Sequence, residues 1–227
     1  MTATTRVHQI EVGPMENFNY IIEDIATGQA ALVDPAWEVD KLFAIIEERK
    51  LQLTDVLLTH CHPDHINGLN AVRQRTKVTV HVLTEEAEYW GNVRDYHALQ
   101  ANDEIQLGDT TIKVLHTPGH TVGHVVYWFD GKVIAGDMMF VYGVGHCRLA
   151  GANPAQLFAS IQFLKTTLPG DTLVYPGHHY STATSVTMAE QIRGNPFFHF
   201  EQVEDFIRYR EVEHDQTRES PYQPHYR

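Results

Sequence analysis

The chain has 227 residues, enough for a large hydrophobic core, and its 43% hydrophobic and 20% charged residues are typical of soluble globular proteins. Its formal net charge of −12 disfavours a nucleic-acid partner, because an acidic surface repels phosphate backbones. No apolar run approaches the roughly 18 residues of a membrane span, and the first residues carry no secretion signal, so we expect no membrane and no secretion. Two cysteines, Cys61 and Cys147, are too few for a disulfide framework, which predicts a cytoplasmic location.

The first sixty residues predict three strands, a helix and a fourth strand. RVHQIEV and FNYIIED predict strands on either side of a Gly13-Pro14 turn, and QAALVDP predicts a third strand that Pro35 ends. Apolar residues then recur at helical spacing from Trp37 to about Lys50. TDVLLT predicts a buried strand that runs directly into the sequence THCHPDH.

The remaining chain continues this alternation. KVTVHV predicts a strand, and TEEAEYW predicts a helix with Thr84 as its N-cap. Three more strands are predicted by TTIKVLHT, HVVYWFD and KVIAGD, and a DGK turn joins the last two. Asn153-Pro154 predicts the start of a helix, and DTLVYPG predicts a last strand. Residues 181–193 are predicted to form a last core helix. The polar residues from Gln216 onward predict a loosely held tail. The alternation predicts an α/β protein with two sheets packed face to face and helices outside.

The stretch THCHPDH carries three histidines and an aspartate within six positions. Side chains alternate along an extended chain, so His60 and His62 lie on one side, where two imidazoles can bind one metal. Cys61 points the other way and is predicted to be a packed thiol. Asp64 and His65 follow a proline and can turn toward a neighbouring position. Solvated or solitary core histidines need no such neighbours, so the cluster predicts a metal site.

The same arrangement, a strand end followed by a residue that can bind a metal, recurs three times. His120 follows a Pro-Gly turn, Asp137 follows a glycine, and His178 follows a second Pro-Gly turn. Each glycine lets the backbone fold sharply and approach closely. Seven candidate ligands at four strand ends are too many for one tetrahedral zinc and suit two metals.

The order H-x-H-x-D-H, T-P-G-H-T, G-D and P-G-H resembles the metallo-β-lactamase-fold superfamily over about residues 6–195. The resemblance implies a four-layer αββα sandwich, with residues 1–195 as the catalytic domain and residues 196–227 as a short C-terminal extension rather than a separate domain. It also implies two divalent metal ions, with zinc expected and iron or manganese as alternatives. The ligands it implies are His60, His62 and His120 for one metal, Asp64, His65 and His178 (in preference to its neighbour His179) for the other, and Asp137 as a bridge.

Two segments, AGDMMFVYGVGHCRLAG and LPGDTLVYPGHHYS, resemble glyoxalase II, the hydroxyacylglutathione hydrolase. The resemblance implies a small-molecule thioester substrate and a metal-bridging hydroxide as nucleophile, with Asp64 also steering its proton. His146, Arg148 and Tyr180 are the expected substrate-binding residues. Only about 45 residues follow GHHYS, too few for the basic C-terminal domain with which glyoxalase II binds glutathione. We therefore expect a thioesterase without a strong preference for glutathione.

A second family stays open as the alternative. THCHPDHINGL, TPGHTVG and LPGDTLVYP also resemble persulfide dioxygenases, which use one iron and molecular oxygen with fewer of these ligand positions. Their G-C-G-R-T-D stretch is replaced here by residues 143–148, so the hydrolase is preferred. A non-catalytic metal-binding protein is least favoured, because it would have no need of seven ligands. Asp34, in LVDP, either orients a ligand or simply forms a turn, and a homo-oligomer is left open.

Overall fold

A computed structural model of the protein describes residues 4–226. Twelve strands run through this part of the chain: β1 Thr5–Val12, β2 Asn17–Asp24, β3 Gln29–Val33, β4 Gln52–Leu57, β5 Thr79–Leu83, β6 His97–Leu99, β7 Glu104–Leu107, β8 Thr110–His116, β9 Val125–Phe129, β10 Lys132–Gly136, β11 Leu173–Pro176 and β12 Val186–Thr187. Its α-helices are α1 Val39–Arg49, α2 Pro63–Ile66, α3 Leu69–Arg75, α4 Thr84–Trp90, α5 Pro154–Thr167, α6 Met188–Gly194, α7 Val203–Arg208 and α8 His214–Thr217. A 3₁₀-helix covers Pro196–His199 and a π-helix Tyr209–Glu213.

The first sheet has the strand order β1-β2-β3-β4-β5-β6. Strands β1 to β3 are antiparallel neighbours, whereas β3 to β6 pair in parallel. Val33 at the end of β3 lies opposite Leu57 at the end of β4. Because parallel strands end at the same edge of a sheet, Asp34 and the stretch THCHPDH both leave the sheet at this edge.

The second sheet has the order β12-β11-β10-β9-β8-β7 and is also mixed. Its strands β10 and β11 are parallel, and Gly136 lies opposite Pro176 where they end. The amide of Gly177 donates a hydrogen bond to the carbonyl of Gly136 at 2.8 Å. This pairing brings the residues that follow, Asp137 and His178, to one edge of the sheet.

The described chain divides into two compact units. The first extends to residue 115 and includes residues 127–130, and the second comprises residues 116–126 and the chain from residue 131 onward. In the first unit, α1 packs Leu42 and Ile46 into a core with Leu32 and Val56 of the sheet. None of the helices in the described part of the chain has the length and apolar character needed to cross a bilayer.

Two predictions of local structure are wrong, and a third is contradicted at one residue only. Thr84 is the first residue of α4 rather than its N-cap, and its hydroxyl donates to the carbonyl of Leu99 at 3.0 Å. The helix predicted over residues 181–193 is confined to Met188–Gly194, because Thr187 and Glu190 form a capping box that starts it there. The tail predicted to be loosely held is exposed over residues 216–221 but buries Tyr222, which is 6% exposed.

Candidate metal-ligand clusters

The first cluster of candidate ligands lies in the first unit, between β4 and the end of α2. His60, His62 and His65 are buried, and Asp64 is half-buried. The Nε2 atom of His60 lies 3.1 Å from Nδ1 of His62, and Nε2 of His65 lies 3.4 Å from Oδ2 of Asp64. Pro63 is the first residue of the short helix α2, and Asp64 and His65 lie on that helix.

Asp34 holds two of these imidazoles in a defined orientation. Its carboxylate accepts hydrogen bonds from the amide of Thr59 at 2.7 Å and from the Thr59 hydroxyl at 2.6 Å, and its Oδ2 lies 3.0 Å from Nδ1 of His65. The Thr59 hydroxyl lies 3.0 Å from Nδ1 of His60 and, since it donates to Asp34, it accepts from that nitrogen. Both Nδ1 atoms therefore carry the proton, and both Nε2 atoms present a lone pair to a metal.

This geometry answers the question that the sequence leaves open about Asp34. The residue has a φ of 50°, so it does form a turn at the end of β3. Its side chain also contacts a candidate ligand, His65, so it orients that ligand as well. Turn formation and ligand orientation are therefore both properties of this one buried aspartate.

The second cluster lies in the second unit and is centred on Asp137. One carboxylate oxygen of Asp137, Oδ2, lies 3.4 Å from Nε2 of His120, and the other, Oδ1, lies 3.4 Å from Nε2 of His178. The Nδ1 atom of His120 is 2.8 Å from the carbonyl oxygen of His146 and donates to it, which leaves Nε2 as the lone-pair nitrogen. The two oxygens of Asp137 thus face two different histidines.

Two glycines of the predicted motifs are required by steric contact in this cluster. A Cβ atom at Gly177 would come within 2.3 Å of Oδ1 of Asp137, and one at Gly145 within 2.5 Å of Nδ1 of His120. Any side chain at either position would therefore push a candidate ligand out of place.

The spacing of the ligand atoms fits metal coordination. Two ligands about 2.05 Å from a tetrahedral metal lie about 3.3 Å from each other. The four ligand-atom pairs within the two clusters are separated by 3.1, 3.4, 3.4 and 3.4 Å. Imidazole and carboxylate donors suit zinc, iron and manganese. Both clusters therefore fit divalent metal ions.

The predicted substrate-binding residues lie near the second cluster in different ways. The ring of His146 contacts that of His120 edge to face with centroids 5.3 Å apart, and burial lowers the pKa of His146. Tyr180 stacks on His178, with ring centroids 4.7 Å apart. Arg148 is exposed but forms an ion pair with Asp215, so its charge is already partly balanced by a carboxylate.

Neither cysteine has the character of a nucleophile. Cys61 is fully buried in the hydrophobic core of the first unit, as predicted, and burial raises the pKa of its thiol. Cys147 is half-buried, and burial raises its pKa to about 12. Both thiols are therefore protonated near neutral pH and are poor nucleophiles.

Three supporting residues escaped the sequence analysis. Thr59 links Asp34 to His60, Asn17 donates to Asp64, and Nε2 of His124 accepts a hydrogen bond from the amide of Asp137 at 3.2 Å. Thr59 directly precedes the first ligand, and this position is the one signal that could have identified it. His124 carried no pattern that separated it from the other histidines.

Comparison with known proteins identifies the family. A model of the metallo-beta-lactamase superfamily matches residues 12–178. The chain is 32% identical over 213 residues to the probable polyketide biosynthesis zinc-dependent hydrolase PksB of Bacillus subtilis (strain 168). This alignment covers 92% of this chain and 95% of PksB. It is 35% identical over 167 residues to a hydroxyacylglutathione hydrolase of Fuscovulum blasticum, covering 73% of this chain and 63% of that protein. The crystal structure of ETHE1 from Myxococcus xanthus matches with a TM-score of 0.84 and 36% identity, over 91% of this chain and 90% of that chain.

The chain therefore belongs to the metallo-β-lactamase superfamily and is a metal-dependent hydrolase of that superfamily. The predicted α/β fold is confirmed, with two mixed sheets and helices that match those of solved relatives. The resemblance to glyoxalase II is matched by curated relatives of moderate identity.

Proposed function

We propose that the two clusters form one binuclear centre that hydrolyses small-molecule thioesters. Asp137 carries the proposal, because its two oxygens face His120 and His178, which the superfamily pattern allots to different metals. His60 and His62 would complete the first metal site with His120, and Asp64 and His65 the second with His178. Zinc is the proposed metal, in keeping with the name of the relative PksB.

Divalent metals bound at these residues would lower the pKa of a water molecule to near neutrality and polarise the thioester carbonyl. The residues of the chain supply the rest of the chemistry. Asp34 and Thr59 accept hydrogen bonds from the Nδ1 atoms of His65 and His60, which leaves the Nε2 lone pairs of both histidines available for a metal. Asp64 is proposed to bind one metal and also to steer the proton of the attacking hydroxide. No nucleophilic cysteine or serine takes part, which agrees with the raised pKa values of both thiols.

The substrate contacts are proposed to come from His146, Arg148 and Tyr180. His146 is held neutral by burial and Arg148 is paired with Asp215, so neither offers a strong free charge to the two carboxylates of glutathione. This supports a thioesterase without a strong preference for glutathione. Residues 196–227 are proposed to extend the catalytic domain without forming a separate one. The free thiols Cys61 and Cys147 suit a reducing cytoplasm.

The test is the substitution Asp137→Ala, with Asp171→Ala at an exposed loop position as the control. Asp137→Ala is expected to lower the content of both metals and to abolish thioester cleavage measured under nitrogen, because one carboxylate oxygen is lost from each metal. Asp171→Ala should keep about two metals per chain and full activity. Full metal content and activity in Asp137→Ala would contradict the bridging role.

The second candidate is an oxygen-dependent persulfide dioxygenase with one iron. The likeness to ETHE1 supports it as well as the hydroxyacylglutathione hydrolases support the first candidate. The full set of seven ligand residues favours the hydrolase, because a single iron needs fewer of them. Rapid oxygen uptake with glutathione persulfide, one iron per chain and no thioester cleavage would reverse this ranking.

A further inference from the structure

Strand β2 carries two buried asparagines, and the sheet itself does not require a polar side chain at either position. Asn17 and Asn19 are each 1% exposed and, being two residues apart, project from the same face of the strand. A buried amide is costly unless its polar atoms are hydrogen-bonded. Asn19 donates to the carbonyl of Asp34 at 2.6 Å and accepts from the amide of Ala36 at 2.9 Å. It therefore fixes the backbone of the turn that carries Asp34.

Asn17 makes the equivalent contact with Asp64. Its side-chain nitrogen donates to Oδ2 of Asp64 at 2.9 Å and lies 3.2 Å from the carbonyl oxygen of the same residue. The contact restrains both the backbone and the carboxylate of Asp64. The restrained oxygen, Oδ2, is the one that lies 3.4 Å from Nε2 of His65.

Trp37 determines which way the amide of Asn17 faces. The indole Nε1 of Trp37 donates to Oδ1 of Asn17 at 2.9 Å. Because an indole N–H can only donate, the amide oxygen must face Trp37, and the amide NH₂ must face Asp64. A rotation of the amide by 180° would place two donors against each other and leave Asp64 without its hydrogen bond.

Trp37 is itself held in place by its surroundings in the first unit. Its backbone amide donates to Oδ1 of Asn67 at 2.6 Å. Its ring lies against Gly13, where an added Cβ would come within 2.5 Å of the indole. The hydrogen-bonded chain from Trp37 through Asn17 to Asp64 is thus anchored at its outer end.

We propose that Asn17, oriented by Trp37, is a positioning residue that holds the carboxylate of Asp64 for metal binding. The inference rests on the proposed function, in which Asp64 and His65 bind the same metal. Residues that orient metal ligands through hydrogen bonds typically change metal affinity by about 10- to 100-fold when substituted.

The experiment compares Asn17→Leu, which is nearly isosteric but cannot hydrogen-bond, with Trp37→Phe, which keeps a ring against Gly13 but loses the donor. Metal affinity is measured by competition with a zinc chelator. Asn17→Leu should weaken the binding of one of the two zinc ions by about 10- to 100-fold. Trp37→Phe should weaken it by about fivefold, the effect of one neutral hydrogen bond. The control is Gln9→Ala, which removes a 3.1 Å hydrogen bond between Gln9 on β1 and Tyr20 on β2, the strand that carries Asn17, and it should leave both affinities unchanged.

Two further measurements separate positioning from a structural role. The unfolding temperature of each metal-free variant reports its stability, and steady-state kinetics should show a lower kcat with little change in KM. A less stable Asn17→Leu with wild-type affinity for both zinc ions would overturn the proposal, as would equal losses of affinity in Asn17→Leu and Gln9→Ala. Zinc affinity is measured without substrate, so a protein that binds zinc but cleaves no thioester would contradict the proposed function and still test Asn17.

Discussion

Asp34→Asn separates the orienting role of Asp34 from its role in the turn. Asparagine matches aspartate in size and tolerates a positive φ, so the turn at the end of β3 should persist. Its carbonyl oxygen can still accept from the amide of Thr59, as Oδ1 of Asp34 does at 2.7 Å. Its NH₂ group, however, would replace the oxygen that contacts the Thr59 hydroxyl at 2.6 Å and His65 Nδ1 at 3.0 Å.

The expected consequence is a change in which ring nitrogen of His65, and through Thr59 of His60, carries the proton. A donor at this position makes Nδ1 of His65 the acceptor and moves the ring proton to Nε2, the nitrogen that faces Asp64. The Thr59 hydroxyl would no longer be obliged to accept from His60. A protonated Nε2 cannot bind a metal, so zinc affinity should fall by about 100-fold, the upper end for such residues.

The same change has a cost in the metal-free protein. Three charge-assisted hydrogen bonds of about 1.5–3 kcal/mol each, from the Thr59 amide, the Thr59 hydroxyl and His65, are replaced by neutral ones of about 1 kcal/mol. The free energy of unfolding should therefore fall by about 1.5–6 kcal/mol. Chelator competition measures the affinity, and denaturant unfolding of the metal-free protein measures the stability.

The matched control is Asp55→Asn. Asp55 accepts a hydrogen bond from Nε2 of His81 at 2.7 Å, and this carboxylate–imidazole pair lies in the same sheet but includes no candidate ligand. This variant should lose about 1 kcal/mol of stability and none of its zinc affinity. If Asp34→Asn bound two zinc ions as tightly as Asp55→Asn does, the argument from the ring tautomers would be refuted.

Two further predictions concern the second unit. Asp215→Asn should release Arg148 from its ion pair. The preference for lactoylglutathione over a neutral thioester, measured as the ratio of kcat/KM values, should then rise by about tenfold. An unchanged ratio, or a gain that remains when Arg148→Ala is added, would contradict this prediction. Burial, with Arg210 nearby, lowers the pKa of His214 from 6.5 to about 4, so protonation favours the unfolded chain and stability is lost as pH falls from 6.5 toward 4. Between pH 7 and pH 5 the metal-free protein should lose about 2 kcal/mol that His214→Gln does not lose, and equal losses in the two proteins would refute this.

The strands and candidate ligands were predictable because their signals are local. Strands β1 to β5 follow from short apolar runs, and each ligand follows such a run within a few residues. The α6 error has an equally local cause. Residues 181–187, STATSVT, are mostly Ser and Thr and lie outside the helix, and the hydrogen bonds between Thr187 and Glu190 determine where it begins. The capping pattern T-x-x-E was present in the sequence and was overlooked.

The packing of the C-terminal tail depends instead on contacts that the sequence does not reveal. Tyr222 donates its backbone amide to the carbonyl of Tyr180 at 2.7 Å and accepts from the Ser181 hydroxyl at 2.9 Å. Its ring lies so close to Gly143 that an added Cβ there would come within 2.6 Å of it. The polar composition of residues 216–227 predicts a loose end, but a single aromatic residue and a glycine about 80 positions away hold the tail at residue 222.

The residues that orient the ligands were the hardest to predict, and sheet register gives the reason. Asp34 meets Thr59 because β3 and β4 are parallel with Val33 opposite Leu57, which brings the residues after both strand ends together. A shift of the register by one residue would turn the side chains on one strand to the opposite face and remove the contact. The sequence predicts both strands but does not determine their register. The types of the ligands can therefore be recognised from the chain alone, whereas the hydrogen bonds that fix the lone pairs of His60 and His65 become visible only once the strands are paired.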